Sequence, residues 1–273
     1  MNKKLKVSIF ISVGVCFFIL LLWIAGGFKS MDNLWYDYKF KLRGFKSPDK
    51  NVIIVSIDEK SIKELGRWPW PRGIHGDLIW RLKKDGARVV VFDVLFTEQD
   101  KSNPLSDRKL TRAINDSKIA TLGGFFQIGA GGQPKSFLTP IGQKLNSRFI
   151  GFVNIFPEMD GVCRKVMMLT RFHDLYIPSL SLSGLSMYYG QDPYDLLHIQ
   201  GVVLDDNGEM LLNYRGGFEM FEYVGFADII KGRFEQGKFK DKIVLVGGTA
   251  TGLFDFKATH YSPVFPGVEI HAN

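Results

Sequence analysis

Acidic residues stand where buried strands end. Asp58 and Glu59 follow the apolar run Asn51–Ile57 (NVIIVSI), and Asp93 lies within a second run, Arg88–Phe96 (RVVVFDVLF). Open α/β sheets form their ligand pockets outside the carboxyl ends of their strands. Acids at that place suit a cationic ligand or a metal. Asp58 has other uses: it can cap a helix begun near Ser61, or pair with Arg67 or Arg72. Between the two runs lies Gly66-Arg67-Trp68-Pro69-Trp70-Pro71-Arg72. Two prolines so close exclude regular structure. Trp68 and Trp70 must bury somewhere. They either wall a pocket for an apolar or cationic ligand, with Arg72 beside them, or fold back as a plug on their own core. In the plug reading Arg67 and Arg72 pair with Asp58 and Asp93.

Gly247-Gly248-Thr249-Ala250 follows the apolar run Lys242–Val246. Backbone N–H groups there suit an anion or a tight turn. Thr249 and, a little further on, Asp255 are thus candidate ligand contacts. Asp160-Gly161 and Arg164 suggest a turn closed by a structural ion pair. His75 fits a helix start, while His260 and His271 stand too far from other ligand types to be assigned. Cys16 lies in the N-terminal apolar run and Cys163 in the folded part, so they do not pair within one chain. Their spacing suggests neither zinc nor a redox pair. No metal and no cofactor is expected. No Gly-x-Ser-x-Gly, His-Glu-x-x-His or Walker-type loop is present. The chain is therefore expected not to be an enzyme; metal-dependent hydrolysis using Asp58 and Asp93 is the remaining catalytic reading.

The elements that position these residues follow from hydrophobic patterning. Strand, helix (75–84) and strand over residues 51–96 is the βαβ pattern of a parallel pair. Further helices are expected over 107–116, 178–189 and 226–231. Strands are expected over 118–126, 148–155, 162–172, 210–214 and 242–246, with 162–172 and 210–214 pairing antiparallel. Gly129–Pro134 reads as an exposed loop and Asp205-Asp206-Asn207-Gly208 as a turn. The fold class is α/β, a mixed and mainly parallel sheet flanked by helices, preceded by one N-terminal transmembrane helix.

Val7–Ala25 (VSIFISVGVCFFILLLWIA) carries no charge and is long enough to span a bilayer core. Its length argues against a cleaved signal peptide. Lys3, Lys4 and Lys6 place the N-terminus in the cytoplasm and the rest on the far side of the inner membrane. The boundaries are a basic flank over 1–6, a membrane helix over 7–27, an amphipathic juxtamembrane segment over 28–50 that docks on the domain, and an extracytoplasmic domain over 51–273. The net charge is +7. The first fifty residues hold nine Lys or Arg against three acids, so nearly all of it lies beside the membrane. That favours contact with the lipid bilayer and argues against a nucleic-acid partner.

From about Asp32 to Asn273 the sequence resembles the second family of CHASE domains, sensory extracellular domains of bacterial membrane receptors. The matching strings are Trp35–Gly44, Ile57–Ile62, Gly66–Arg72, Val91–Phe96, Asp160–Arg164, Lys242–Gly247 and Pro266–Asn273. Gly-Arg-Trp-Pro-Trp-Pro-Arg and Pro-Gly-Val-Glu-Ile-His-Ala-Asn carry the resemblance most specifically. It implies a sensory input domain that precedes further membrane helices and a cytoplasmic output: an adenylate or guanylate cyclase, a histidine kinase or a serine/threonine kinase. This chain is expected to stop before them. The expected partners are a small ligand or an envelope protein and a second copy in a homodimer. The alternative function is an envelope interaction scaffold with no small-molecule ligand.

Overall fold

The structure, a computed structural model, describes residues 3–101, 103–129, 133–140, 150–199, 201–205, 207–253 and 255–273. It divides into two compact units, residues 1–45 and 46–273. The first holds α1 (Lys3–Ile24) and α2 (Gly27–Arg43). No residue of α1 is buried, and by length and composition it is able to cross a membrane. Gly26, with φ +72°, separates it from α2; glycine adopts this left-handed conformation without strain. Helix α2 closes where the Gly44 N–H donates to the Phe40 carbonyl.

The second unit begins β1 (Val52–Ile57), α3 (Glu59–Leu65), α4 (Gly73–Lys84), β2 (Val89–Leu95), α5 (Pro104–Ser117) and β3 (Ala120–Ile128). There follow β4 (Pro134–Leu138), β5 (Ile150–Phe152), β6 (Lys165–Met167), β7 (Leu169–Phe172), β8 (Leu175–Pro178), α6 (Leu180–Tyr189) and α7 (Pro193–Ile199). The chain closes with β9 (Glu209–Leu211), β10 (Glu222–Gly225), α8 (Phe226–Ile230), β11 (Ile243–Gly248), β12 (Phe256–Lys257), β13 (Phe265–Pro266) and α9 (Gly267–Ala272). The main sheet runs β10-β1-β11-β2-β3, all parallel, and β3 also takes β4 antiparallel and β5 parallel.

Strands β1, β2 and β11 are continuous apolar runs because both their faces are covered. On one face Ile53, Val55, Phe92 and Val246 meet Leu78 and Leu82 of α4, Leu110 of α5 and Phe226 of α8. On the other Ile54, Val91 and Leu245 meet Leu180 of α6 and Val268 of α9. The expected mixed, mainly parallel sheet is what forms.

Locally the chain departs from the patterning. The expected strand over 162–172 is two strands, β6 and β7; β6 pairs antiparallel with β9, and β7 forms a hairpin with β8. Residue Pro134, read as loop, opens β4. The middle of the 129–134 loop, the start of the 148–155 strand and one residue of the 205–208 turn lie outside the described residues. The rest of that turn is as expected: Asp205 Oδ1 accepts from the Asn207 and Glu209 N–H groups.

Candidate functional site

A cavity of about 590 Å³ lies at the carboxyl ends of the parallel strands. Its polar wall is Asp93, Asn154, Asp255, Lys257 and His271, the Asn154 amide being taken up by the Phe126 backbone, and its apolar wall includes Trp68, Leu95, Phe125 and Ile155. Asp93, His271 and the Asp255–Lys257 segment arrive from different parts of the chain. Asp93 sits at a register shift between β2 and β3 spanning Phe92 and Leu95; such a bulge re-aims side chains at a sheet rim. Asp255 immediately precedes β12, and Lys257 ends it. His271 comes from α9, four residues after Gly267, so both lie on one helix face.

Glycine at position 267 is required by packing. A Cβ there would stand 2.7 Å from the Asp255 Oδ2, and the Gly267 N–H donates to the Asp255 carbonyl at 3.0 Å. Any larger residue would push the Asp255 carboxyl out of place.

The electrostatics are those of a buried acid, Asp93, beside the partly exposed Asp255 and Lys257. The Asp93 side chain is 8% exposed and that of His271 1%. Burial raises the Asp93 carboxyl well above the usual range, and the Asp255 charge beside it pushes the same way, against Lys257. Burial also raises Asp255, which Lys257 and the hydrogen bond with Asp93 hold back. The Lys257 Nζ lies 3.8 Å from the Asp255 Oδ1. A buried carboxyl beside a second, partly exposed one resists double ionisation, so Asp93 and Asp255 titrate as a coupled pair.

His271 is neutral, its pKa lowered by burial to about 4. Its tautomer follows from the hydrogen-bond network. The Ser181 hydroxyl donates to the His271 carbonyl at 3.0 Å, so its oxygen accepts from Nδ1 at 3.1 Å. On that network the proton is assigned to Nδ1 and Nε2 presents a lone pair, while a hydrogen bond from the ring to the Val153 backbone opposes the effect of burial on its pKa. That Nε2 lies 3.8 Å from the Asp93 Oδ1, too far for a direct hydrogen bond. Among the described residues neither Nε2 nor the Asp93 Oδ2 has a hydrogen-bond partner.

Of the residues singled out in the sequence, Trp68, Asp93 and Asp255 line this cavity, while Asp58, Glu59, Arg67, Trp70, Arg72 and Thr249 are not among its lining residues. Asp58 caps α3, its Oδ1 accepting from the Ser61 N–H at 2.7 Å. Glu59 accepts from the Thr251 N–H at 2.8 Å, which holds its carboxyl below the usual range. Arg67 is exposed, and Arg72 pairs with Asp107 at 3.0 Å, not with Asp58 or Asp93. The N–H groups of Thr249 and Ala250 both donate to the Ile57 carbonyl, at 3.2 and 3.1 Å, so neither is offered to an anion. Arg164 pairs with Asp160 at 2.8 Å and also with Glu158 at 2.8 Å. Lys257 and His271 carried no sequence signal that pointed to the cavity.

His75 lies behind the site, fully buried, with Trp68 at 5.8 Å and Phe96 at 5.0 Å between ring centroids. Among the described residues neither of its ring nitrogens has a hydrogen-bond partner. Burial, aided by Arg72, lowers its pKa to about 3. A buried neutral histidine contributes stability that is full above about pH 6.5 and is lost as the pH falls through the lowered value. The raised Asp93 and Asp255 act oppositely, losing stability as the pH rises above the ordinary carboxylate range. His75→Phe separates the two. Its melting temperature relative to the parent chain is expected to rise steadily between pH 6.5 and 4; a constant difference would show that His75 does not set the acid limb.

A mainly parallel sheet with both faces covered and a pocket at its strand ends defines an open α/β domain. The CHASE2 domain family matches residues 13–273, and the chain belongs to that family. CHASE2 is an extracellular sensory domain of signalling receptors. No curated protein and no solved structure matches the chain.

Proposed function

We propose that this chain is the extracytoplasmic input domain of a bacterial membrane receptor and that a small molecule in the strand-end cavity is its signal. The observation that carries this is the cavity itself, whose lining residues Asp93 and His271 hold buried polar atoms that lack partners among the described residues. Helix α1 anchors the domain in the inner membrane, with Lys3, Lys4 and Lys6 holding its start in the cytoplasm. The role is binding and not catalysis. Ligand shifts the domain between two arrangements through unequal affinity for them, and the membrane helix passes the change to a cytoplasmic cyclase or kinase.

Trp68→Ala tests the cavity. Trp68 is half-buried, so the variant is expected to fold and to lose any melting shift that a metabolite panel produces in the parent chain. If no compound shifts the parent's melting temperature, and receptor output ignores the substitution, the domain works as a protein-interaction scaffold instead.

The receptor acts as a homodimer. Phe28, Met31, Trp35, Tyr38 and Leu42 are all exposed and recur at alternating steps of three and four along α2. That 3.5-residue period is the seam of a two-helix coiled coil, which a second copy of the same helix covers. In a Cys16→Ser background, Tyr38→Cys is expected to give a disulfide-linked dimer in oxidised membranes. Its absence, with Asn33→Cys on the opposite face giving the same low yield, would place the dimer elsewhere.

A further inference from the structure

We infer that the cavity takes a protonated primary amine with a compact apolar body, whose ammonium sits among Asp93, Asp255 and the Nε2 of His271 in exchange for a proton. This rests on the sensory reading above and names its ligand class.

The inference starts from acceptors without donors. Asp93 Oδ2 and His271 Nε2 are buried, belong to residues that line the cavity and, among the described residues, have no hydrogen-bond partner. With Ser181 fixing the proton on Nδ1, Nε2 can only accept. The Asp255 carboxyl, for which Gly267 leaves room, joins them. Buried acceptors without donors are costly, so the site calls for a donor from outside the chain. The 3.8 Å between His271 Nε2 and Asp93 Oδ1 is too long for a direct bond but short enough for one nitrogen to bridge both. A primary ammonium carries three N–H donors and no acceptor, one for each of these groups.

The other candidate ligands fit less well. A quaternary ammonium has no N–H to give. A hydroxyl gives one donor and leaves the others unmet. Among the described residues no group of three His, Cys, Asp or Glu side chains is placed to hold a metal. The remaining wall is apolar and aromatic, with Trp68, Leu95, Phe125 and Ile155 offering a place for a hydrocarbon body. The indole of Trp68 adds attraction for a cation.

Charge balance ties binding to pH. The titratable groups facing Asp93 are Asp255 before β12, Lys257 on it and His271 on α9. Burial and mutual repulsion favour one proton shared by the two carboxyls, beside the Lys257 side chain. An entering ammonium lets both carboxyls ionise, and the shared proton leaves to solvent. Raising the pH therefore favours the amine until the amine itself loses its proton.

Isothermal titration of the full chain in lipid nanodiscs provides the test, with 2-phenylethylamine, 2-phenylethanol and the trimethylammonium analogue as probes. The amine is expected to bind at least about tenfold more tightly than the other two, since only it satisfies all three acceptors. Its affinity should rise with pH between 5.5 and 7.5, approaching about tenfold per unit where one proton is released per amine bound. The apparent enthalpy should vary with the ionisation enthalpy of the buffer. Asp93→Asn should lose about tenfold or more and flatten the pH dependence; Asp255→Asn, on the more open side, gives the same reading if the first variant folds poorly. Equal binding of amine and alcohol, a pH-independent affinity, or unchanged binding by both Asn variants overturns the amine assignment. If the alcohol binds and Trp68→Ala abolishes that binding, the amine class fails while the sensory pocket stands. If no ligand of any class binds, both fail together.

Discussion

Replacing Glu269 by alanine is expected to cost about 3–6 kcal/mol, the largest effect of any single polar substitution in the domain. Glu269 is fully buried in α9. Its carboxyl accepts from the Glu219 N–H at 3.1 Å, the Met220 N–H at 3.0 Å and the Tyr223 hydroxyl at 2.7 Å. Burial raises its pKa, and those donors, Tyr223 first, hold it back. Alanine would leave all three part-buried donors without this acceptor. Each buried unsatisfied group costs about 1–3 kcal/mol, against about 5–15 kcal/mol for a whole domain. Because Tyr223 lies in β10, the loss also frees the edge of the main sheet from α9, which carries His271. Glu269→Gln keeps one accepting oxygen and the shape, so its cost should fall between wild type and alanine. Urea unfolding measures both; a loss below about 1 kcal/mol for Glu269→Ala would show that solvent or a rearranged loop satisfies the three donors.

That glutamate lies in the Pro-Gly-Val-Glu-Ile-His-Ala-Asn string, which read as a family mark but gave no hint of its work. Each position has a separate physical task. Gly267 admits the Asp255 carboxyl, Val268 fills the sheet face, Glu269 gathers the 219–223 segment, and His271 reaches Asp93. Asn273 accepts from the Arg215 N–H at 2.8 Å. None of this is periodic, and each partner is far away in sequence. By contrast β1, β2 and β11 were legible because strands buried on both faces must be apolar throughout. Asp93 was legible as a candidate because the carboxyl end of a buried strand is itself a position with meaning. His271 was not. It stands alone in the sequence and reaches the cavity only through a six-residue helix that follows a two-residue strand. The edge strand β10 was missed for a related reason: it has four residues, and only Val224 is buried.

Trp70→Ala is expected to cost about 3–5 kcal/mol, the range for deleting a large aromatic from a packed core. Sequence left two roles for the tryptophan pair, a pocket wall and a plug, and the structure divides them between its members. Trp70 is 5% exposed and packs within the main core. Its ring lies 4.8 Å from that of Phe226, and its indole N–H donates to the Gly66 carbonyl at 2.8 Å. Trp68 meets it edge-on at 5.1 Å and turns its remaining surface to the cavity. Trp70 thus fixes the ring that lines the site. Trp70→Phe keeps most of the packing and loses only the bond to Gly66, so it should recover more than half of the loss in a thermal or urea titration. The two substitutions also separate stability from binding. Trp68→Ala should lose ligand response at modest cost in melting temperature, whereas Trp70→Phe should lower the melting temperature and keep the response. The opposite pattern would mean that Trp70, and not Trp68, faces the ligand.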